Sequence, residues 1–194
     1  MAPFAVAQGT LCGKPRGTAW FRDLVDDAEK RIRENRPEVP NQKIRLLWHD
    51  IHPIWFTELT PWLEQDWGAT VIQSMFTNCP YTLVDTSSED ALWKGLAKGN
   101  LLDTPMIRQA RGTVENFVRD IESSVRDFSI DCVIWPGHMG HKDSAASVSV
   151  MREVCSRIGV PFLHIGVDQF DRRYTPVDEI KNRISQFFGA MGLG

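Results

Sequence analysis

A chain of 194 residues is long enough for one domain with a sizeable core, or for one half of a larger protein. Hydrophobic residues at 42% and charged residues at 24% are ordinary for a globular chain and exclude disordered and fibrous classes. The formal net charge is -3 and the basic residues are scattered, so no nucleic-acid partner is expected; no apolar run approaches the roughly 20 residues of a bilayer span, so no membrane partner is expected either.

The opening "MAPFAVAQGTLCG" has neither a basic start nor a long apolar core, which gives a cytoplasmic expectation. Residues 1–16 read as a flexible segment and residues 17–194 as one domain. Cys12, Cys79, Cys132 and Cys155 are widely spaced, with no C-x-x-C pair, and read as reduced thiols rather than a disulfide framework.

Residues 17 to 35 set Trp20, Phe21, Leu24, Val25, Ala28 and Ile32 at helical spacing, with Thr18 as the N-cap and Pro37 beyond the end. "RPEVPNQK" reads as an extended linker, since prolines and the residues before them disfavour helix. "KIRLLWHD" is a short apolar run suited to a buried strand. A helix from about Trp55 to Gln65 follows, then "GATVIQSMF" as the second strand.

After the loop "TNCPYTLVDTSSED" come a helix near 88–98 and a longer one from about Pro105 to Asp127. "SIDCVIWPG" is the third strand, ended by Pro136 and Gly137. The next helix is capped by Asp143 or Ser144 and closed by Gly159. "VPFLHIGVD" is the fourth strand. The last helix takes Thr175 as cap and Pro176 as its first residue.

Strands alternating with helices of this length imply right-handed crossovers and a parallel sheet covered on both faces. The expected fold is a three-layer α/β/α domain with a four-stranded parallel, flavodoxin-like (Rossmann-like) sheet in the order 2-1-3-4. In that order the first and third strands meet at the switch point, where ligands bind beyond the carboxyl ends.

The loops that reach this point are "HDIHPIW" and "PGHMGHKD", each with a His-x-x-His: His49 with His52, and His138 with His141. Four imidazoles gathered at one sheet edge could hold a divalent metal or exchange protons near neutral pH. The plainer alternative is a solvated loop. Gly137 and Gly140 would let the backbone approach a ligand, while Lys142 and the helix N-terminus beside Ser144 would suit an anion such as the phosphates of a nucleotide or of coenzyme A.

Trp48, Trp55 and Trp62 read first as core, with a flat pocket or subunit interface as the alternative. Cys132 and Cys155 read as core thiols, and Cys79 as a structural loop cysteine. His164 reads as a hydrogen-bonded core imidazole. Asp168, Asp171, Arg172 and Arg173 read as a solvated ion-pair cluster, and Asn182, Arg183 and Gln186 as a polar helix face.

Together "KIRLLWHDIHPIWF", "FSIDCVIWPGHMGHKDSAAS" and "VPFLHIGVDQFDRRYTPVDEIKNRISQFF" resemble the C-terminal domain of the 2-hydroxyacyl-CoA dehydratase and benzoyl-CoA reductase family, from about Thr18 onward. The specific pieces are the R-x-L-W strand with its "PIW" continuation, the "GHMG-x-K" loop, and D-x-x-D-x-R before an R-I-x-x-F helix. The resemblance implies a two-subunit enzyme in which each subunit holds a [4Fe-4S] cluster through three cysteines between two α/β domains. An ATP-hydrolysing activator supplies an electron. The dehydratases remove water from a 2-hydroxyacyl-CoA through a ketyl radical, and the reductases reduce an aromatic ring.

The sequence departs from that pattern in two respects. Family subunits are about twice as long, with two cluster cysteines in an N-terminal domain that this sequence is expected to lack. At the third cysteine's place in the "GHMG-x-K" loop stands His141. Histidine ligates iron in Rieske centres, but here a cluster is not expected to be held by this chain alone. The resemblance therefore implies a related subunit or domain on another chain, with acyl-CoA as the candidate ligand of Trp48, His49, His52, Gly137, His138, Gly140, Lys142 and Ser144.

Overall fold

The structure, a computed structural model, describes residues 10–11, 13–74, 82–103 and 114–192, with the backbone alone at 143 and 144. Cys12, Cys79 and the expected helix start at Pro105 lie outside the described residues. The chain divides into two compact units, residues 1–41 and 42–194.

The first unit carries helix α1 (Pro15–Arg33). It starts earlier than Thr18 because Pro15, whose fixed φ and missing N–H suit a first turn, takes that place; Thr18 lies inside the helix. Gly17 is required there, since a Cβ would fall 2.0 Å from the carbonyl oxygen of Leu11. Lys30, Arg31 and Arg33 in the last turn complement the partial negative charge of the carboxyl end. Arg31 binds both Asp27 and Glu38, and residues 38–41 form bends and turns rather than the expected extended linker.

Among the described residues the second unit holds four strands: β1 (Ile44–Trp48), β2 (Ala69–Ser74), β3 (Cys132–His138) and β4 (Phe162–Val167). All neighbours are parallel and the order is β2-β1-β3-β4, as the sequence pattern predicts. The helices of this unit are α2 (Leu59–Trp67), α3 (Glu89–Leu102), α4 (Val114–Phe128), α5 (Lys142–Arg157) and α6 (Val177–Ala190).

Alternation along each strand builds two cores. Ile44, Leu46, Trp48, Cys132, Ile134, Ile165 and Val167 face one layer, where Leu59 and Leu63 of α2 and Ile180, Ile184 and Phe188 of α6 cover them. Leu47, Val133 and Trp135 face the other, against Phe117 and Ile121 of α4 and Met151, Val154 and Cys155 of α5. This is a three-layer α/β domain.

Several boundaries differ from the sequence expectation, each for a local reason. The segment from Pro53 to Glu58 makes turns, with the Phe56 N–H on the Pro53 carbonyl, so α2 begins at Leu59 rather than Trp55. It closes at Gly68, whose φ of 62° places it in the left-handed region. Ser88 caps α3 by accepting the Ala91 N–H at 3.1 Å. Thr175 does not cap α6: its hydroxyl donates to the Gly166 carbonyl at 2.9 Å, and Pro176 takes the cap position.

Pro136 and Gly137 do not end β3, which continues to His138. The pairing of β1 with β3 stops at Trp48 and Ile134, and the His49 N–H then takes the Ile134 carbonyl. Pro136, two residues on, turns its missing N–H to the side where β1 has run out, while β4 pairs on the other side as far as His138. The resulting overhang carries β3 beyond its neighbour toward the loops described next.

Candidate functional site

The carboxyl ends of β1, β3 and β4 lead into three loops that are tied together. The backbone N–H of Gln169, after β4, donates to His138 Nδ1 at the end of β3 at 3.3 Å. Its carbonyl accepts the N–H of Ile54, from the loop after β1, at 3.0 Å. Its side-chain Nε2 donates to the Ile51 carbonyl at 3.4 Å. Trp55 adds a fourth tie, Nε1 to the Asp168 carbonyl at 2.9 Å.

Gln169 is wholly buried, and sequence reasoning passed over it as part of the polar run "VDQFDRR". The available signal was an uncharged amide among charges directly after a strand, since burial tolerates an amide that can be hydrogen-bonded far better than a charge.

The first His-x-x-His divides across the sheet. Trp48 faces the α2 and α6 layer, so His49 next to it faces the other, its ring 4.8 Å from that of Trp135 and 5.5 Å from Phe117. His52 returns to the Trp48 side and stacks on the indole at 4.7 Å and 15°. Burial pushes the His52 imidazole down to about 4, so it is neutral near neutral pH. All four histidines lie at the carboxyl ends of β1 and β3, but the expectation that they could hold one metal is corrected: His49 and His52 face opposite sides of the sheet, and no such group exists among the described residues.

The second pair stays together. His138 and His141 meet edge to face at 4.8 Å, and Phe170 closes on His138 at 5.8 Å. The His141 N–H donates to the His138 carbonyl at 3.0 Å, and that turn starts α5 with His141 as its N-cap, ahead of the expected Asp143 or Ser144. Lys142 is the exposed first residue of the helix, and the backbone of Ser144 lies in its first turn.

The two glycines serve packing. A Cβ at Gly137 would lie 2.3 Å from His164 Nε2, so the glycine makes room for that half-buried ring. A Cβ at Gly140 would stand 3.1 Å from His138 Nε2. Desolvation lowers the His164 pKa, and the charges of Arg183 and Arg152 lower it further.

Beyond β4, Asp168 Oδ1 accepts the N–H groups of Phe170 at 2.8 Å and Asp171 at 2.9 Å, which lowers its pKa. Asp171 pairs with Arg173 and is held down to about 2, chiefly by that side-chain contact. Arg172 is exposed. Of the tryptophans, Trp48 is buried, while Trp55 and Trp62 are partly buried and pack against the same core; Lys181 Nζ lies 5.1 Å from the centre of the Trp62 ring.

Cys132 and Cys155 are core thiols, as expected, and they lie in opposite layers of the sheet. Burial pushes both up to about 12, far from the thiolate that iron requires. Among the described residues, no group of three or more His, Cys, Asp and Glu side chains is placed to hold a metal ion. The described residues therefore do not fit an iron-sulfur cluster, nor a metal centre built on the four histidines. What the arrangement offers is a junction of hydrogen-bonding groups from Trp55, His138 and Gln169, with exposed Ile54, Met139 and Phe170, one on each loop.

Among the described residues no helix is long and apolar enough to cross a membrane. Residues 2–191 match the family described as 2-hydroxyglutaryl-CoA dehydratase, D-component. No curated protein matches the chain.

Proposed function

The chain belongs to the 2-hydroxyglutaryl-CoA dehydratase D-component family, and from that premise we propose that it acts with a partner chain as one component of a 2-hydroxyacyl-CoA dehydratase-like enzyme. The observation that carries this reading is the family match over residues 2–191. The substrate is an acyl-CoA, dehydrated in the dehydratase branch or reduced in the benzoyl-CoA reductase branch. The enzyme works in the cytoplasm, in anaerobic metabolism.

Within that reading the loops after β1, β3 and β4 form this chain's share of the substrate site. Lys142 and the first-turn amides of α5, including that of Ser144, suit the phosphates, because unpaired N–H groups and a cation favour an anion. Trp48, His52 and His138 stand on the part away from the charges, His49 backs it from the other side of the sheet against Trp135, and Gly137 and Gly140 leave room for His164 and His138. Electron transfer and cluster ligation belong to the partner, since the described residues supply no set of thiolates.

Anaerobic co-expression with the products of adjacent coding regions tests this. A brown, iron-containing complex that dehydrates a 2-hydroxyacyl-CoA is the expected outcome. A colourless chain that recruits no partner and binds no CoA ester overturns it. The lack of a metal-ligand group among the described residues also favours a second reading, a binding module for an acyl-CoA or another anion without redox chemistry. That reading predicts CoA-ester binding by the chain alone and no iron in any complex.

A further inference from the structure

The end of β1 carries buried polar atoms that the protein itself does not satisfy. Trp48 Nε1, His52 Nε2 and Gln169 Oε1 are each covered and without a hydrogen-bond partner. They are neighbours in the fold: His52 is stacked on Trp48, and the Gln169 amide reaches the carbonyl of Ile51, the residue before His52. Trp48 is 1% exposed and Gln169 0%. Buried polar groups are almost always paired, so one isolated orphan is unremarkable but three on adjoining residues point to a missing group.

The chemistry of that group follows from the three atoms. An indole N–H only donates and an amide oxygen only accepts, while a neutral imidazole does either. None of the three carries charge, since burial keeps His52 neutral. An anion would leave Gln169 Oε1 facing negative charge, and a cation would leave the Trp48 N–H without an acceptor. A neutral group that both accepts and donates satisfies all three. Ile54, Met139 and Phe170 around it suit an uncharged, partly apolar chain.

We propose that Trp48, His52 and Gln169 form a subsite for a secondary amide, that of the pantetheine arm of an acyl-CoA, at the carboxyl end of β1. The amide carbonyl accepts from both Trp48 Nε1 and the Nε2–H of neutral His52, and the amide N–H donates to Gln169 Oε1. His52, the half-buried member, is the side through which the amide enters. The subsite rests on the acyl-CoA reading above and assigns the uncharged arm to different residues from the phosphates at Lys142 and α5.

The test is a titration of the whole chain labelled with 15N-tryptophan, the Trp48 indole signal being identified by its loss in Trp48→Phe. Pantetheine and coenzyme A are both expected to shift that signal, with AMP and inorganic phosphate leaving it in place. Gln169→Leu should weaken pantetheine at least about tenfold, a loss of about 1.4 kcal/mol. If coenzyme A binds, by shifts elsewhere, while the Trp48 indole stays fixed, the subsite is wrong and the acyl-CoA reading stands. If no CoA compound binds, both fall, and a buried water fills the gap. A Trp48 shift equally large with phosphate also overturns the amide assignment.

Discussion

At the scale of single residues, much of this molecule's chemistry is decided by what stands next to a histidine. Gly137 has ordinary backbone angles; what it lacks is a side chain, because His164 occupies that space. Gly137→Ala should destabilise the fold by about 1–3 kcal/mol through overpacking. His164→Ala in the same chain should recover most of that loss, as expected where two sites share one clash. Equal, additive losses in denaturant unfolding would refute this account.

His52 gives a pH prediction. Its folded-state pKa, about 4, lies below the ordinary 6.5, so protons bind more readily to the unfolded chain. Its contribution is whole above about pH 6.5 and is lost as pH falls toward about 4. Between about pH 7 and about pH 5 this should cost about 2 kcal/mol relative to His52→Phe, which keeps a stacking ring but cannot titrate. Parallel stability curves for the two proteins would exclude it.

At the scale of elements, the differences between expectation and structure lie at ends. Proline usually marks where a strand stops, and Pro136 reads that way in sequence. It lies within β3 because β1 is shorter than β3, and neighbouring-strand length has no local signature. Thr175 reads equally well as a cap; only the nearness of Gly166 shows that its hydroxyl serves β4. Thr175→Val should therefore cost about 1–3 kcal/mol by leaving the Gly166 carbonyl unsatisfied. Thr175→Ser, which keeps the hydroxyl, should restore most of it. A full loss in both variants would show that the methyl group, not the bond, matters.

At the scale of the whole chain, the two cores on either side of the sheet each bury one thiol. In a chain carrying Cys12→Ser and Cys79→Ser, no thiol should react with a thiol reagent in the native state, and Cys132 and Cys155 should both react on unfolding. Rapid native labelling of either would contradict the burial described here. The strand and helix order, the parallel sheet and its 2-1-3-4 arrangement were legible in the sequence, because apolar periodicity and Gly and Pro punctuation are local. Tertiary structure decided which side chains meet: it parted His49 from His52 by strand alternation, kept His138 with His141, and placed Gln169 at the junction of three loops. Those outcomes depend on register and on the lengths of neighbouring strands, which no short stretch of residues encodes by itself.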